Sequence, residues 1–285
     1  MFVIAGVTGH VGAAAAEALL SQGQKIRVII RDEAKALQWA KRGAGVVVGN
    51  LEDQAFLSLI LHGAKGAFFL LPPNFASVDI LEDQKKLGAT IAAAVKEAQV
   101  PHVVMLSSIG ADLAEGTGPI KGLHHFENSL RACGAKITAI RAGFFMENIA
   151  QGIGAAKAAG IYPNMLPSQD IAMPMIATKD IGQLVAESLM AGPKNEIVDL
   201  TGPSYTVKQL AEKVGRALKK TIQIVDIPQA GWLDALINAG VPKPWAEQYV
   251  EMYQGLLSGQ VTLKGDRTVV GQTEIDSVID SLTKS

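Results

Sequence analysis

The sequence predicts an α/β protein whose core is a doubly wound parallel sheet, followed by a small C-terminal α/β subdomain. Two observations support this prediction. Short strands made almost entirely of apolar residues alternate with helical segments as far as Arg141, a pattern typical of a parallel sheet covered on both faces. A glycine-containing turn also follows the first strand and opens the first helix. We expect a sheet of about six or seven strands, with the first six in the order 3-2-1-4-5-6.

The first dozen residues combine a strand, a glycine turn and the start of a helix. The turn reads GVTGHVG from Gly6 to Gly12. Backbone amides at a helix start are unpaired and partly positive, so a turn without Cβ atoms lets a diphosphate lie on them. We expect Gly6 to make the tight turn, Gly9 to allow close approach of the ligand, and Gly12 to let the helix contact the strand. The alternative is an ordinary loop that binds nothing. The predicted cofactor contacts here are Gly6, Thr8, Gly9, His10, Val11 and Gly12.

The end of the second strand, at 25–30, indicates which dinucleotide is bound. This strand end usually carries an acid that binds the ribose 2′-hydroxyl, but Arg31 holds the position here. A guanidinium pairs with a 2′-phosphate, and Lys35 could assist it. We therefore predict NADPH as the cofactor. The alternative is that Arg31 is a solvated strand end and that Asp32 binds the ribose.

The remaining strands of the first half should contribute the rest of the site. The third strand, at 46–48, leads to Asn50 and Leu51, which are placed to flank the adenine, although an ordinary turn would have the same position. Ligands of open α/β sheets lie beyond the carboxyl edge, so the ends of strands at 67–71, 103–106 and 137–141 should reach the nicotinamide and substrate. The predicted contacts at these ends are Leu71, Pro72, Ser107, Gly143 and Phe144.

The second half of the chain is less regular. It predicts a helical piece at 152–160, a loop at 162–175, a helix at 178–191 and a strand at 197–200. A capping box formed by Thr206 and Gln209 should start a helix that ends at 218, before a strand at 222–225 and two or three helices in 229–285. We assign 1–150 to a dinucleotide-binding domain of the Rossmann type. Residues 151–285 form a smaller substrate-binding subdomain packed on it, with some strands and helices returning to the main sheet.

The composition restricts the classes of partner. Twenty-six basic and 27 acidic residues give a net charge of −1 over 285 residues, so there is no electrostatic reason to expect nucleic acid or an anionic membrane as a partner. The apolar stretches are too short to span a membrane and no secretory signal precedes the first strand, so we expect a cytoplasmic protein. Cys133 is the only cysteine, which excludes a cysteine metal cluster, and no metal site is predicted.

The candidate catalytic residues are unusual for a reductase of this fold. Many such enzymes use Tyr-x-x-x-Lys, in which the lysine lowers the pKa of the phenol so that it can pass a proton to a carbonyl oxygen. None of the four tyrosines has a lysine four residues later. The helix at 122–132 instead carries His124 and His125, of which at most one can face the site. Ser107 could present a hydroxyl to the reacting centre or cap the next helix. Packing roles are the alternatives for both histidines.

Several stretches agree with one family. GVTGHVG, VIIRD, GNLED, IRAGFFMEN and VDLTGPSYTVKQLAEKVG together resemble the NmrA-like group of atypical short-chain dehydrogenases/reductases over nearly the whole chain. Within that group the sequence is most similar to bacterial NADPH quinone oxidoreductases, triphenylmethane reductases and flavin-free azoreductases. The resemblance implies that Gly143 and Phe144 form a wall beside the nicotinamide, and that Leu123 replaces a histidine found in some members. The cofactor contacts implied by the resemblance are Gly6, Thr8, Gly9, Gly12 and Arg31.

Two functions remain open at this point. The first is an NADPH-dependent reductase that transfers a hydride to a quinone, azo or similar conjugated aromatic acceptor without an obligatory proton donor. The second is a non-catalytic, NADP(H)-sensing regulatory protein of the NmrA type, since a missing tyrosine fits both. We favour the enzyme because soft apolar pockets usually hold small molecules, and we expect no nucleic-acid or membrane partner, with a homodimer as one candidate assembly. The expected pocket residues are Phe75, Phe144, Phe145, Met146, Met165, Met173 and Met175.

Overall fold

The computed structural model describes residues 1–284. Its strands are β1 (Phe2–Ile4), β2 (Ile26–Ile30), β3 (Gly45–Val48), β4 (Gly66–Phe69), β5 (His102–Ser108), β6 (Lys136–Ala142), β7 (Phe144–Phe145), β8 (Ile161–Asn164), β9 (Met173–Ile176), β10 (Glu196–Thr201), β11 (Ser204–Tyr205), β12 (Gln223–Asp226) and β13 (Arg267–Val270). Its α-helices are α1 (His10–Ser21), α2 (Ala36–Lys41), α3 (Gln54–Leu61), α4 (Ile80–Glu97), α5 (Ile120–Arg131), α6 (Ala150–Ala159), α7 (Thr178–Ala191), α8 (Val207–Leu218), α9 (Trp232–Asn238), α10 (Lys243–Leu257) and α11 (Ile275–Lys284).

The main sheet has eight parallel strands in the order β13-β10-β6-β5-β4-β1-β2-β3. The predicted fold class and the predicted order of the first six strands are therefore confirmed. The expected number of strands was too small because β13 was missed. Three of its four residues, Arg267, Thr268 and Val270, are exposed, so this edge strand lacks the apolar run that identifies the buried ones.

Two hydrophobic layers cover the two faces of the sheet. Side chains alternate along β1, so that Ile4 packs with α1, α2 and α7 whereas Val3 packs with α3, α4 and α5. Both side chains are fully buried. Such two-sided burial is the physical reason why the strands of this half are apolar at nearly every position.

Helix α7, from the second half of the chain, packs directly on α1. A Cβ added to Gly182 would lie 2.4 Å from the Cβ of Ala14 and 2.6 Å from the backbone nitrogen of Ala15. The two helices can approach this closely because α1 carries small residues and α7 carries a glycine at the crossing. The alanine run of α1 is therefore a packing surface for α7.

The other strands of the second half form two small sheets, of β11, β9 and β7 and of β12 and β8. Two of these strands correct the predicted loop at 162–175, which contains most of β8 and most of β9. Pro163 lies inside β8 and suggested a loop, but β8 has a single partner strand, and an edge position tolerates proline. The capping box of α8 is present as predicted. The division at residue 150 stays a prediction.

The described residues contain no helix that is long and apolar enough to span a membrane.

Candidate functional site

The glycine turn has the geometry that the sequence predicts. Gly6 has a φ of +72°, and a Cβ there would also lie 2.8 Å from the side chain of Leu70. A Cβ on Gly12 would lie 2.4 Å from the backbone of Gly6 and 2.7 Å from the carbonyl of Ala5. Both glycines are therefore required by the fold, Gly6 by its backbone conformation and Gly12 by the contact between α1 and β1.

Gly9 differs from the other two glycines of the turn. Its φ is −105°, which any residue can adopt, and the nearest protein atom to an added Cβ is the Gly6 carbonyl at 3.6 Å. The protein itself does not require a glycine at this position. The first turn of α1 has no side-chain cap and no acidic residue, so its backbone amides are available to an anion. The lack of a Cβ at Gly9 leaves room for such a ligand beside them.

A cavity of about 510 Å³ begins at this turn and extends between α1, α2 and the start of α7. Exposed Thr8, Gly9 and His10 line it, whereas Val11 is buried and can offer only its backbone amide. Lys35 also lines the cavity. Its remaining lining residues are Val7, Ala13, Ala14, Glu17, Gln38, Trp39, Arg42, Thr178 and Lys179.

Arg31 and Lys35 are the cations nearest in sequence to the end of β2. Both are exposed, and neither side chain has a hydrogen-bond or ion-pair partner within residues 1–284. Asp32, by contrast, accepts a hydrogen bond from the backbone of Ala34 at 3.0 Å and so caps the short turn at Glu33–Lys35. Arg42, which sequence analysis missed, pairs with Glu17 and lies 4.8 Å from the centre of the Trp39 ring. The arginine with a free guanidinium at this end of the sheet is Arg31.

The residues predicted to flank the adenine form a structured turn. The side chain of Asn50 donates to Glu52 at 3.1 Å and accepts from the Glu52 backbone at 3.3 Å. Leu51 is partly buried and packs on the core beside α3 and α4. Both contacts exist without a ligand, so an adenine contact at Asn50 or Leu51 stays a prediction.

The ends of the central strands meet at one edge, as predicted. The Ala5 amide donates to the Phe68 carbonyl at 3.1 Å, and the Gly143 amide donates to the Leu200 carbonyl at 2.9 Å. Leu71 and Pro72 follow β4, while Phe144 lies in β7 beside Met175. Leu71, Pro72, Gly143 and Phe144 are partly buried at this edge. Met175 and Met146 are fully buried in the core of the second half, so the prediction that they line a pocket was wrong.

Ser107 lies in a buried cluster of charged residues. Its hydroxyl donates to Glu127 at 2.6 Å, and the guanidinium of Arg141 donates to both oxygens of the same carboxylate at 2.9 and 2.8 Å. All three residues are buried, and Arg131 contacts Glu127 at 2.8 Å from the more exposed side. Burial by itself would lower the pKa of Arg141, but the hydrogen bonds and charge of Glu127 raise it instead. The Ser107 hydroxyl is thus engaged with a carboxylate, and its proposed catalytic role stays a prediction.

The two histidines of α5 differ, because His124 has hydrogen-bond partners at both ring nitrogens whereas His125 has none within residues 1–284. The Nδ1 of His124 lies 2.9 Å from the Ala111 carbonyl and its Nε2 lies 3.1 Å from the Asn128 amide. A neutral ring that donates from Nδ1 and accepts at Nε2 satisfies both contacts. His125 packs edge-on against His124 and is partly buried near Lys85 of α4, and burial together with these two neighbours lowers its pKa. These placements favour packing roles, and catalysis by either histidine stays a prediction.

Within residues 1–284 no group of three or more histidine, cysteine, aspartate or glutamate residues could hold a metal ion. Two polar groups at the carboxyl edge lack protein partners in the described part of the chain, namely the amides of the glycine turn and the guanidinium of Arg31. Both are suited to binding an anion.

A parallel sheet of this order with a glycine turn at its first strand end defines an NAD(P)-binding, Rossmann-like fold. The chain belongs to the NmrA-like family, whose model matches residues 1–281. It is 25% identical over 255 residues to the NAD(P)H azoreductase of Xenophilus azovorans, which covers 89% of this chain and 86% of that protein. It is 27% identical over 267 residues to quinone oxidoreductase 2 of Escherichia coli (strain K12), with coverage of 91% and 89%. The structure of Citrobacter sp. triphenylmethane reductase complexed with NADP(H) superposes with a TM-score of 0.80 at 19% identity, over 100% of this chain and 99% of that one.

Proposed function

We propose that this protein is an NADPH-dependent reductase that passes a hydride to a flat, conjugated acceptor such as a quinone or an azo compound. The main support for a dinucleotide cofactor is the glycine at position 9, because Gly9 is the one glycine of the turn that the protein fold does not require. The names of the relatives, an azoreductase and a quinone oxidoreductase, support the same class of reaction.

The residues at the edge of the sheet fit a dinucleotide phosphate. The amides that begin α1 would hold the diphosphate, because they are unpaired and carry partial positive charge. Arg31 would pair with the 2′-phosphate, with Lys35 beside it, since both cations lack a protein partner within residues 1–284. Asp32 already caps a turn and is less available to a ribose hydroxyl. When bound, NADPH supplies the hydride.

The side chains near the expected reaction site favour an acceptor that needs little help with protonation. Ser107 is bound to Glu127, and both nitrogens of His124 have partners. Reduction of an isolated ketone produces a strongly basic alkoxide, for which a nearby acid is commonly worth ~10²- to 10⁴-fold in rate. A quinone spreads the negative charge into a phenolate-like product that water can protonate. The protein then contributes orientation and exclusion of water.

The test compares two acceptors with the same purified protein and NADPH. We expect benzoquinone to be reduced and a simple aliphatic ketone to react much more slowly. Faster turnover of the ketone would refute the mechanism. Tight NADPH binding without turnover of quinones, azo dyes or enones would instead support the NADP(H)-sensing regulator.

A further inference from the structure

A row of five aromatic residues extends from the loop after β4, along α10, to α9. We call it the aromatic row. Phe75, in the loop after β4, lies 5.1 Å from Trp245 between ring centres, and Trp245 lies 5.8 Å from Tyr249. Tyr253 follows one turn later on the same face of α10, and its ring lies 5.9 Å from that of Trp232 in α9.

Helix α10 is attached to the carboxyl edge of the sheet at two places. The Trp245 indole donates to the Asn74 carbonyl at 2.8 Å, which ties the start of α10 to the loop after β4. Glu251 pairs with Lys121, at the start of α5, at 2.6 Å and accepts from the Gly116 amide at 3.1 Å. The first attachment places the start of the aromatic row at the end of β4, at the edge where the acceptor of the proposed reaction is expected, and the second holds a different face of α10 against the loop after β5.

Three tyrosine hydroxyls associated with this row lack a hydrogen-bond partner in the described part of the chain. They belong to Tyr249, Tyr253 and the buried Tyr162 of β8, whose ring packs against Gly152 of α6. Tyr253 interacts electrostatically with both other tyrosines, and burial raises the pKa of all three phenols. By contrast, Tyr205, the fourth tyrosine, donates to Glu274 and accepts from the Ile275 amide.

A phenol hydroxyl that has no protein partner and is not sealed from solvent can donate to a ligand that supplies an acceptor atom. With their pKa values raised, the phenols keep their protons and act as donors. Neighbouring tyrosines can satisfy one another only in part, since each has one proton. A ligand that fits this place therefore combines a flat ring, to stack on Phe75, Tyr249 or Tyr253, which are not fully buried, with oxygen atoms that accept hydrogen bonds.

We propose that the hydroxyls of Tyr162, Tyr249 and Tyr253 bind the oxygen atoms of the acceptor, so that the protein selects planar carbonyl-bearing compounds over flat compounds of the same size without oxygen. This inference rests on the proposed function and specifies its substrate class as quinones. The tyrosines position the acceptor and need not transfer a proton to it. Their contribution is one of affinity and selectivity.

The experiment measures binding with the oxidised cofactor present, so that no turnover interferes. The probes are menadione and 2-methylnaphthalene, which share one carbon skeleton but differ in the two carbonyl oxygens. The variants are Tyr162→Phe, Tyr249→Phe and Tyr253→Phe. Each variant that removes a hydroxyl bound to oxygen should weaken menadione binding about 3- to 10-fold, as expected for one neutral hydrogen bond. The Kd of 2-methylnaphthalene should change less than about twofold. Tyr205→Phe is the matched control and should leave both values unchanged.

The outcomes separate this inference from the proposed function. An equal loss of affinity for both probes would show that the tyrosines only pack, and would overturn the inference. Unchanged menadione binding in all three variants would overturn it too, even if the wild-type protein reduces quinones. If the wild-type protein binds menadione through these tyrosines but never reduces it, the inference stands and the proposed reaction fails.

Discussion

The two ends of the carboxyl edge are built in opposite ways. At β1 and β2 the polar groups have no partners within residues 1–284, namely the amides that begin α1 and the cations of Arg31 and Lys35. At β5 and β6 the polar groups are buried and satisfied by one another, with Ser107 and Arg141 both bound to Glu127. The difference separates groups that are free to bind a ligand from groups that hold strands and helix together, although both sets follow strand ends in the sequence.

We call the end at β1 and β2 the open end and the end at β5 and β6 the closed end. The largest effect is expected from removing a partner at the closed end. Glu127→Ala leaves the Arg141 guanidinium buried without its principal partner, and removal of one member of a buried pair typically costs ~3 to 5 kcal/mol of unfolding free energy. Urea denaturation measures the loss. Arg131→Ala is the matched control, because Arg131 contacts the same carboxylate from a more exposed position and should cost less than ~1 kcal/mol. Equal effects of the two variants would contradict a structural role for the buried pair.

At the open end, the charge of Arg31 is the feature to remove. Loss of a charge-assisted pair typically costs ~1.5 to 3 kcal/mol, so Arg31→Ala should weaken NADPH roughly 10- to 100-fold and leave NADH almost unchanged. Titration of both cofactors against the variant measures this. Lys65→Ala removes an exposed cation at the opposite edge of the sheet and should affect neither cofactor. Equal losses for NADPH and NADH would show that Arg31 supports the fold and not the phosphate.

The glycine turn contains both kinds of position within four residues. Gly12→Ala should destabilise the protein by ~1 to 3 kcal/mol, because its Cβ would overlap the Gly6 backbone. Gly9→Ala meets no such obstacle and should keep nearly normal stability, but should weaken NADPH about tenfold, or ~1.4 kcal/mol, if the diphosphate lies against it. Thermal unfolding and cofactor titration of both variants separate the two effects. Unchanged cofactor affinity in Gly9→Ala would remove the main support for the site.

The smallest effect is expected at His125. We expect His125→Ala to keep quinone reduction within about twofold of the wild type at neutral pH, because its position between α4 and α5 suits packing. Burial, Lys85 and His124 lower the pKa of this histidine below 6.5 in the folded state. The associated stability is therefore present above pH 6.5 and lost as the pH falls from there toward the lowered value. The free energy of unfolding, measured across this pH range, should decline less steeply in the variant. A large loss of turnover in His125→Ala would instead indicate a catalytic role for His125.

Local patterns in the sequence were sufficient to predict the geometry of the glycine turn at the open end of the edge. The backbone conformation at Gly6 and the close contact at Gly12 depend largely on residues close in sequence, so the glycine spacing predicts them, and the order of the first six strands follows from the regular alternation of apolar strands with helices. The closed end depends on contacts between residues far apart in the chain, such as Ser107, Glu127 and Arg141. One signal was available, since a charged residue inside an otherwise apolar strand must find a partner, and Arg141 occupies such a position. The contacts of α10 with the loop after β4 join residues about 170 positions apart, as in Trp245 and Asn74, and carry no local signature.

The packing of Gly182 on the alanines of α1 has a consequence for how the chain folds during its synthesis. The surface of α1, made within the first twenty or so residues, remains uncovered until α7 emerges from the ribosome, and the edge of β6 stays unpaired until β10 has been made. A nascent chain that ends near residue 150 would present a bare strand edge and an apolar helix face, both of which promote aggregation. We therefore expect truncation at that point to yield insoluble material, and the ribosome-bound intermediate to be a client of chaperones that shield such surfaces.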